Sequence, residues 1–139
     1  MTPALTLFAR LTVSIARPLV IGRAEAGLRE VIPITGGTVE GDISGKVLPG
    51  GADWCLTRPD GVAEVWARYT LALDSGDLVS VLNTGLAFPQ EDGSYAGRTV
   101  PQFEVANGPL HWLRNHIFVG TLLAPPEGDR VELRFFRVD

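Results

Sequence analysis

A chain of 139 residues with 45% hydrophobic and 20% charged side chains has the size of one globular domain, which we expect to span residues 1–139. The net charge of −4 and the single lysine, Lys46, argue against nucleic acid as a partner, because nucleic-acid-binding domains concentrate basic side chains on one face. The single cysteine, Cys55, excludes an intrachain disulfide and a metal site built on thiolates.

The apolar segments are too short for a membrane helix, which needs about 18 or more uninterrupted apolar residues. The N-terminal segment is apolar, but it alternates with polar residues and carries no early positive charge. We therefore expect no signal peptide, no membrane partner and a cytoplasmic location.

Short apolar runs separated by glycine and proline are typical of all-β domains. The clearest run covers residues 5–16, where apolar side chains recur at every second position from Leu5 to Ile15, as in a half-buried strand. About nine strands with little or no helix predict an all-β, single-domain antiparallel β-barrel, with a strongly bent sandwich as the alternative. The further predicted strands are Leu28–Ile34, Thr38–Leu48, Ala52–Arg58, Val62–Leu73, Leu78–Gly85, Thr99–Val105, Leu113–Leu123 and Arg130–Val138.

Thr35–Gly51 contains six glycines, with Glu40 and Asp42 between them. Glycine inside strands indicates bends or a close approach of the backbone to another group. The segment therefore predicts either barrel corners or backbone that contacts a ligand. It lacks the Gly-Lys-Ser/Thr ending of a phosphate-binding loop.

Two turns predict the register of three neighbouring strands. A two-residue loop at Asp60-Gly61 places Asp53 opposite Arg68, and a two-residue loop at Ser75-Gly76 places Arg68 opposite Asn83. A carboxylate and a guanidinium side by side can pair bidentately. This row either points into the barrel, where it forms a polar site, or points outward, where it forms a surface ion pair.

Farther along the chain, the segment Phe88–Arg98 contains one proline and two glycines between strands. A loop of this length is a candidate lid over the mouth of a barrel.

Four motifs together resemble domain-of-unknown-function family 3237, an uncharacterised group of UPF-type proteins. They are Ile34–Gly41, Val47–Trp54, Ala67–Leu71 and His111–Leu113. The resemblance implies a small antiparallel barrel that requires no metal and no cofactor, and a biochemical role that is not established. The chain departs from the family pattern at Trp66, where aspartate is frequent, and in the order Arg114-Asn115.

The candidate catalytic residues are Arg68, Asp53, Glu64 and Glu40. We expect Arg68 to anchor a substrate oxygen, Asp53 to orient Arg68, and Glu64 or Glu40 to move a proton. Aromatic walls with a few polar groups are typical of small-molecule sites. The candidate ligand-binding residues are Trp54, Trp66, Tyr69, Asn83, Phe103, Trp112 and His116.

These residues favour a cofactor-independent acid–base enzyme, of isomerase, cyclase or lyase type, acting on a small apolar or aromatic oxygenated molecule. A non-catalytic carrier or sensor of a similar ligand is the first alternative. A structural dimer module without a cavity is the second, and the sequence is compatible with a homodimer.

Overall fold

Ten β-strands and one short 3₁₀ helix form the computed structural model, which describes all of residues 1–139. The 3₁₀ helix, His111–Asn115, is the one helical element, and the all-β prediction is confirmed. The strands are β1 (Leu5–Ile15), β2 (Leu19–Ala24), β3 (Gly27–Gly41), β4 (Gly45–Val47), β5 (Ala52–Thr57), β6 (Ala63–Leu73), β7 (Leu78–Pro89), β8 (Tyr95–Glu104), β9 (Phe118–Ala124) and β10 (Arg130–Val138).

The antiparallel strand pairing closes on itself. The ring runs β1-β10-β9-β8-β7-β6-β4-β3, and pairing of β1 with β3 completes it. β5, like β4, pairs with both β3 and β6, but at other residues of these strands, whereas β2 pairs with β3 only. This closed arrangement confirms the predicted antiparallel barrel.

The two-residue period of β1 builds one wall of the barrel interior. Ala9, Leu11 and Val13 are buried on one face, as their alternation predicts. A bulge between Leu7 and Ala9 changes the phase, so that Phe8 is also buried. Two consecutive residues of β1, Phe8 and Ala9, are therefore both buried.

Two predicted strand ranges were wrong. The strand predicted over Thr38–Leu48 is two strands, because the chain turns between Gly41 and Gly45. The strand predicted over Leu113–Leu123 begins only at Phe118, because the chain first forms the 3₁₀ helix that buries Leu113. β2 was not predicted, since its residues are exposed on both faces and show no alternation.

Glycines in the predicted corner segment lie against the backbone of neighbouring strands. A Cβ atom on Gly37 would lie 2.1 Å from the Thr12 carbonyl oxygen, and one on Gly45 would lie 2.3 Å from the Ala72 carbonyl oxygen. Both glycines also have positive φ angles, 139° and 155°. These contacts favour the corner interpretation of Thr35–Gly51 over contact with a ligand.

One end of the barrel is filled by aromatic side chains, which we call the aromatic plug. Ring centroids of neighbouring members lie between 5.0 Å and 5.9 Å apart, in edge-to-face or tilted packing. The polar and cavity-lining groups described below must therefore lie toward the other end. The members of the plug are Phe8, Phe103, Trp112, Phe118 and Phe135.

Candidate functional site

The hairpin between β5 and β6 has a three-residue loop, one residue longer than predicted. The Arg58 N–H donates to the Val62 carbonyl and the Gly61 N–H donates to the Arg58 carbonyl, each at 2.9 Å. Gly61 has φ 88°, the left-handed conformation that ends this kind of loop. Asp53 therefore lies opposite Ala67.

The predicted pairing of Asp53 with Arg68 was thus wrong, since a shift of one residue moves a side chain to the other face of the sheet. Arg68 lies between Ala52 and Leu82 on the exposed outer face. The guanidinium of Arg68 cannot anchor a ligand inside the barrel from this position.

The loop of the hairpin between β6 and β7 is also one residue longer than predicted. The Leu73 N–H donates to the Asp77 carbonyl at 2.9 Å, so this loop also has three residues, and Asn83 lies opposite Ala67 rather than Arg68. Because the two shifts cancel, Asp53 and Asn83 still share one row, on either side of Ala67. That row points into the barrel.

The carboxylate of Asp53 binds the backbone where the pairing of β5 with β6 is interrupted. Its Oδ1 accepts a hydrogen bond from the Trp66 N–H at 2.9 Å. The pairing omits Trp54 and Cys55, and Arg29 Nη1 donates to the Trp54 carbonyl oxygen at 2.8 Å. The Trp66 N–H, which is free at this interruption, thus holds the Asp53 side chain through one of its two carboxylate oxygens.

Burial raises the pKa of Asp53 from 3.8 to about 6, because the carboxylate loses hydration inside the barrel wall. The Trp66 hydrogen bond and the charge of Arg29 oppose this rise, because both stabilise the ionised form. A carboxyl group with this pKa exists in both protonation states near neutral pH. It can therefore act as a proton donor and as a proton acceptor.

Asp53 lines an internal cavity of about 50 Å³ whose other walls are almost entirely apolar. The polar side chains at this cavity are Asp53, Tyr69 and Asn83. Tyr69 Oη and Asn83 Oδ1 are buried and have no hydrogen-bond partner. Buried polar atoms are almost always paired, so these two are available to a bound group.

The remaining titratable groups near Asp53 stay protonated. Burial raises the pKa of the Tyr69 hydroxyl and, with the negative charge of Asp53 as a smaller cause, raises the pKa of the Cys55 thiol to about 12. Tyr69 is thus a hydrogen-bond donor, and Cys55 is not a thiolate nucleophile.

Sequence reasoning did not identify Thr99 as an interior polar residue. Its Oγ1 is buried without a partner, and a Cβ atom on the neighbouring Gly120 would lie 2.4 Å from it. Thr99 does not line the cavity. Thr99 lies in a strand that the sequence predicts, but the face of that strand that points into the barrel was not predicted.

The other two candidate proton carriers lie outside the barrel. Glu64 is on the outer face, where its carboxylate lies 3.7 Å from the Arg58 guanidinium. Glu40 is exposed opposite Arg10. Neither residue is brought near Asp53, so their predicted role in moving a proton inside the barrel was wrong.

The aromatic residues predicted to line one pocket lie in three different places. Trp54 and Trp66 are exposed on the outer face and pack edge-to-face at 5.6 Å. Phe103 and Trp112 belong to the aromatic plug, and the exposed ring of His116 lies 5.5 Å from Trp112. Tyr69 is the one predicted aromatic residue at the cavity.

The predicted lid is a short turn. β7 extends to Pro89 and β8 begins at Tyr95, so the segment Phe88–Arg98 belongs mostly to strands. The Gln90 N–H donates to the Ser94 carbonyl at 2.8 Å, which closes the turn. No long loop in this segment is left to cover a mouth.

Comparison with known proteins shows the family to which this chain belongs. The profile of a family described as "Protein of unknown function (DUF3237)" matches residues 3–138. The chain belongs to DUF3237. A UPF0311 protein from Clostridium acetobutylicum is 36% identical to it over 143 residues, covering 92% of this chain and 89% of that protein.

Solved structures extend the comparison of DUF3237 folds. A protein of unknown function from Clostridium acetobutylicum has a TM-score of 0.92 at 32% identity, covering 100% of this chain and 99% of that one. An enzyme from Penicillium herquei has a TM-score of 0.75 at 19% identity, covering 100% of this chain and 96% of that one. At 19% identity, the second likeness shows the shared fold alone.

Two further features concern membranes and metals. None of the helical structure in this DUF3237 chain is long and apolar enough to span a bilayer. No group of three or more His, Cys, Asp or Glu side chains is arranged to hold a metal ion.

Proposed function

We propose that this DUF3237 chain is a cofactor-independent acid–base enzyme in which Asp53 transfers the proton. The observation that carries the proposal is a carboxyl group with a pKa of about 6 at an apolar cavity, beside two buried polar atoms that lack partners. A pKa near the working pH is the property that general acid–base catalysis requires. In an isomerase step, Asp53 removes a proton from one carbon and returns it to another, so that the same carboxyl group acts first as base and then as acid.

Tyr69 and Asn83 supply the contacts that hold a substrate oxygen. The Tyr69 hydroxyl donates a hydrogen bond to a carbonyl or developing enolate oxygen, and such donors stabilise negative charge that forms in the transition state. Asn83 Oδ1 accepts a hydrogen bond from a substrate hydroxyl. With Asp53 as the base, the three side chains provide one proton acceptor, one donor and one orienting acceptor.

The charges around the cavity favour a neutral substrate. No Lys, Arg or His side chain lines the cavity, and Asp53 is the one ionisable carboxyl there. A buried carboxylate or phosphate would lack a counter-charge and would repel ionised Asp53. We therefore propose a ketone, lactone, enol or phenol as the reacting group.

The cavity volume favours catalysis over transport. About 50 Å³ holds a group of one or two water-molecule volumes, whereas small-molecule pockets usually enclose about 300–1,000 Å³. A carrier must enclose most of its ligand, but an enzyme needs to enclose only the reacting group. The half-exposed side chains of Ile15, Ile32 and Val131 line the cavity, and we propose that the substrate body lies against them.

Proton exchange tests the proposal before the natural substrate is known. Neutral ketones and lactones are incubated with the protein in D₂O, and loss of the α-proton is followed by NMR. We expect catalysed exchange by the wild-type protein and a loss of about 100-fold or more for Asp53→Asn. Glu64→Gln, which removes a carboxylate from the outer face, is the matched control and should retain the rate.

Equal rates for the wild-type protein and Asp53→Asn would contradict the proposal. Binding of a probe without exchange or any other turnover would instead support the carrier alternative. The homodimer stays a prediction, which the molar mass in solution tests by light scattering.

A further inference from the structure

A second concavity lies on the outside of the barrel, where β8 and β9 separate. Their pairing ends at Thr99 and Gly120, although β8 continues to Glu104 and β9 begins at Phe118. A cleft of about 680 Å³, which we call the outer cleft, extends from this gap to residues of β6, β7 and the 3₁₀ helix. Its volume lies in the usual range for small-molecule sites, unlike that of the Asp53 cavity.

The outer cleft carries more basic than acidic side chains. Arg68 and Arg114 line it together with His116, and Glu104 is the one acidic side chain. Neither guanidinium lies within ion-pair distance of a carboxylate, whereas other arginines of this chain, such as Arg58, do. The cleft therefore presents positive charge that no protein carboxylate neutralises directly.

Local contacts orient two of these groups without neutralising them. Arg114 Nη2 donates to Asn107 Oδ1 at 2.8 Å, which holds the guanidinium and leaves its other N–H groups free. The Nδ1 atom of His116 lies 3.0 Å from the Trp112 carbonyl oxygen. A carbonyl oxygen only accepts hydrogen bonds, so Nδ1 is the donor and Nε2 is free to contact a ligand.

Apolar surface adjoins the charged groups. Leu82, Val100 and Ile117 line the outer cleft, and Val100 and Ile117 are 46% and 69% exposed. A neighbouring concavity of about 320 Å³ shares Arg68 with the cleft and is walled by Trp54. Arg68 thus lies between two surfaces against which an apolar ligand body can pack.

We propose that the outer cleft binds an organic anion, meaning a carboxylate or phosphate monoester attached to an apolar body. Arg68 binds the charged group through the paired N–H groups of its guanidinium, which match two oxygens of one anion. Leu82 and Val100 pack against the apolar body. This site is separate from the proposed acid–base function, because no arginine lines the Asp53 cavity and Asp53 does not line the cleft.

Titration with four probes tests the proposal on the full chain. Benzoate and phenyl phosphate represent organic anions, inorganic phosphate represents the charge alone, and benzyl alcohol represents the apolar body alone. Binding is followed by backbone amide NMR shifts. We expect both organic anions to bind at least about tenfold more tightly than inorganic phosphate and benzyl alcohol, with the largest shifts at Val100 and Ile117.

Arginine variants provide the matched comparison. Arg68→Gln should weaken binding of the organic anions about tenfold or more, and Arg114→Gln should weaken it less. Arg134→Gln removes an exposed arginine on β10 that lines neither concavity, so it should leave the affinity unchanged. Equal losses for Arg68→Gln and Arg134→Gln, or unchanged affinity in Arg68→Gln, would overturn the proposal.

Inorganic phosphate binding as tightly as phenyl phosphate would also overturn it, because the apolar surface would then contribute nothing. A failure of this titration leaves the proton-exchange experiment on Asp53 unaffected, so the two proposals can fail separately.

Discussion

The pKa of Asp53 links one side chain to both stability and activity. Below pH 3.8 the carboxyl is protonated in the folded and in the unfolded chain, so burial costs little. Between pH 3.8 and about 6 the folded chain binds more protons than the unfolded chain, and its free energy of unfolding falls as the pH rises. Above pH 6 we expect the half-buried carboxylate to destabilise the fold by about 3 kcal/mol, at 1.36 kcal/mol for each pKa unit.

Asp53→Asn should therefore remove this pH dependence and raise the free energy of unfolding at pH 7 by about 3 kcal/mol. The asparagine carbonyl can still accept the Trp66 N–H, so the backbone contact is retained. Urea denaturation at several pH values between 4 and 8 measures the effect. Asp42→Asn changes an exposed carboxyl and is the control, and parallel curves for wild type and Asp53→Asn would contradict the prediction.

Removing the Tyr69 hydroxyl should stabilise the fold and slow the proposed reaction. Its hydroxyl is buried without a partner, and an unpaired buried polar group costs roughly 1–3 kcal/mol. Tyr69→Phe should therefore raise the free energy of unfolding by about 1 kcal/mol and slow proton exchange at least about tenfold. Tyr95→Phe is the control for both measurements, and unchanged exchange in Tyr69→Phe would remove this residue from the proposed mechanism.

At the scale of the element, strand alternation was predictable and strand register was not. The alternation of β6 identified the buried set that includes Val65, Ala67 and Tyr69 as one face. An Asp-Gly pair, however, occurs both in two-residue loops and in three-residue loops that end with glycine in the left-handed conformation. Pro59 was the available signal for the longer loop, because proline favours the first central position of a type I turn. The difference of one residue moved Arg68 from the interior to the surface.

The site was predicted in part for the same reason. Asp53, Tyr69 and Asn83 were named from the sequence, and the structure brings them to one cavity. Glu40 and Glu64 were named because they are close in sequence to the glycine-rich segment and the hairpin. Closeness in sequence does not determine the face of a strand, and both carboxylates point outward.

The left-handed conformation of Gly61 can be tested by substitution. Its φ of 88° lies in the left-handed region, and the nearest heavy atom to an added Cβ, Pro89 Cγ, is 3.9 Å away. Gly61→Ala should therefore lower the free energy of unfolding by about 1 kcal/mol through backbone strain and not through a clash. Gly61→Asn should cost less and Gly61→Val more, because asparagine tolerates this conformation and valine does not.

Chemical denaturation of the three Gly61 variants gives the order. Equal destabilisation by alanine, asparagine and valine would mean that this glycine is not held in the left-handed conformation.

At the scale of the whole molecule, the closed barrel separates an end filled by aromatic rings from the part that contains the Asp53 cavity. β10 shows the division within one strand, because Leu133 lines the Asp53 cavity while Phe135, two residues later, belongs to the aromatic plug. The packed rings of the plug contribute buried apolar contacts, which offset part of the stability that the polar groups of Asp53 and Tyr69 cost.

Phe135 and its neighbour Phe136 allow this division to be measured. Phe135 is 0% exposed, whereas Phe136 is half-buried on the opposite face of β10. Phe135→Ala should lower the free energy of unfolding by about 3–5 kcal/mol, because it leaves a cavity in the plug, and Phe136→Ala should cost clearly less.

The same variant tests whether the environment of Asp53 depends on the plug. If it does not, the pKa of Asp53, followed by carboxyl NMR, should remain about 6 in Phe135→Ala. A return of that pKa toward 3.8 in a variant that is still folded would instead show that the plug maintains the dry environment around Asp53, because only renewed hydration could stabilise the carboxylate so strongly.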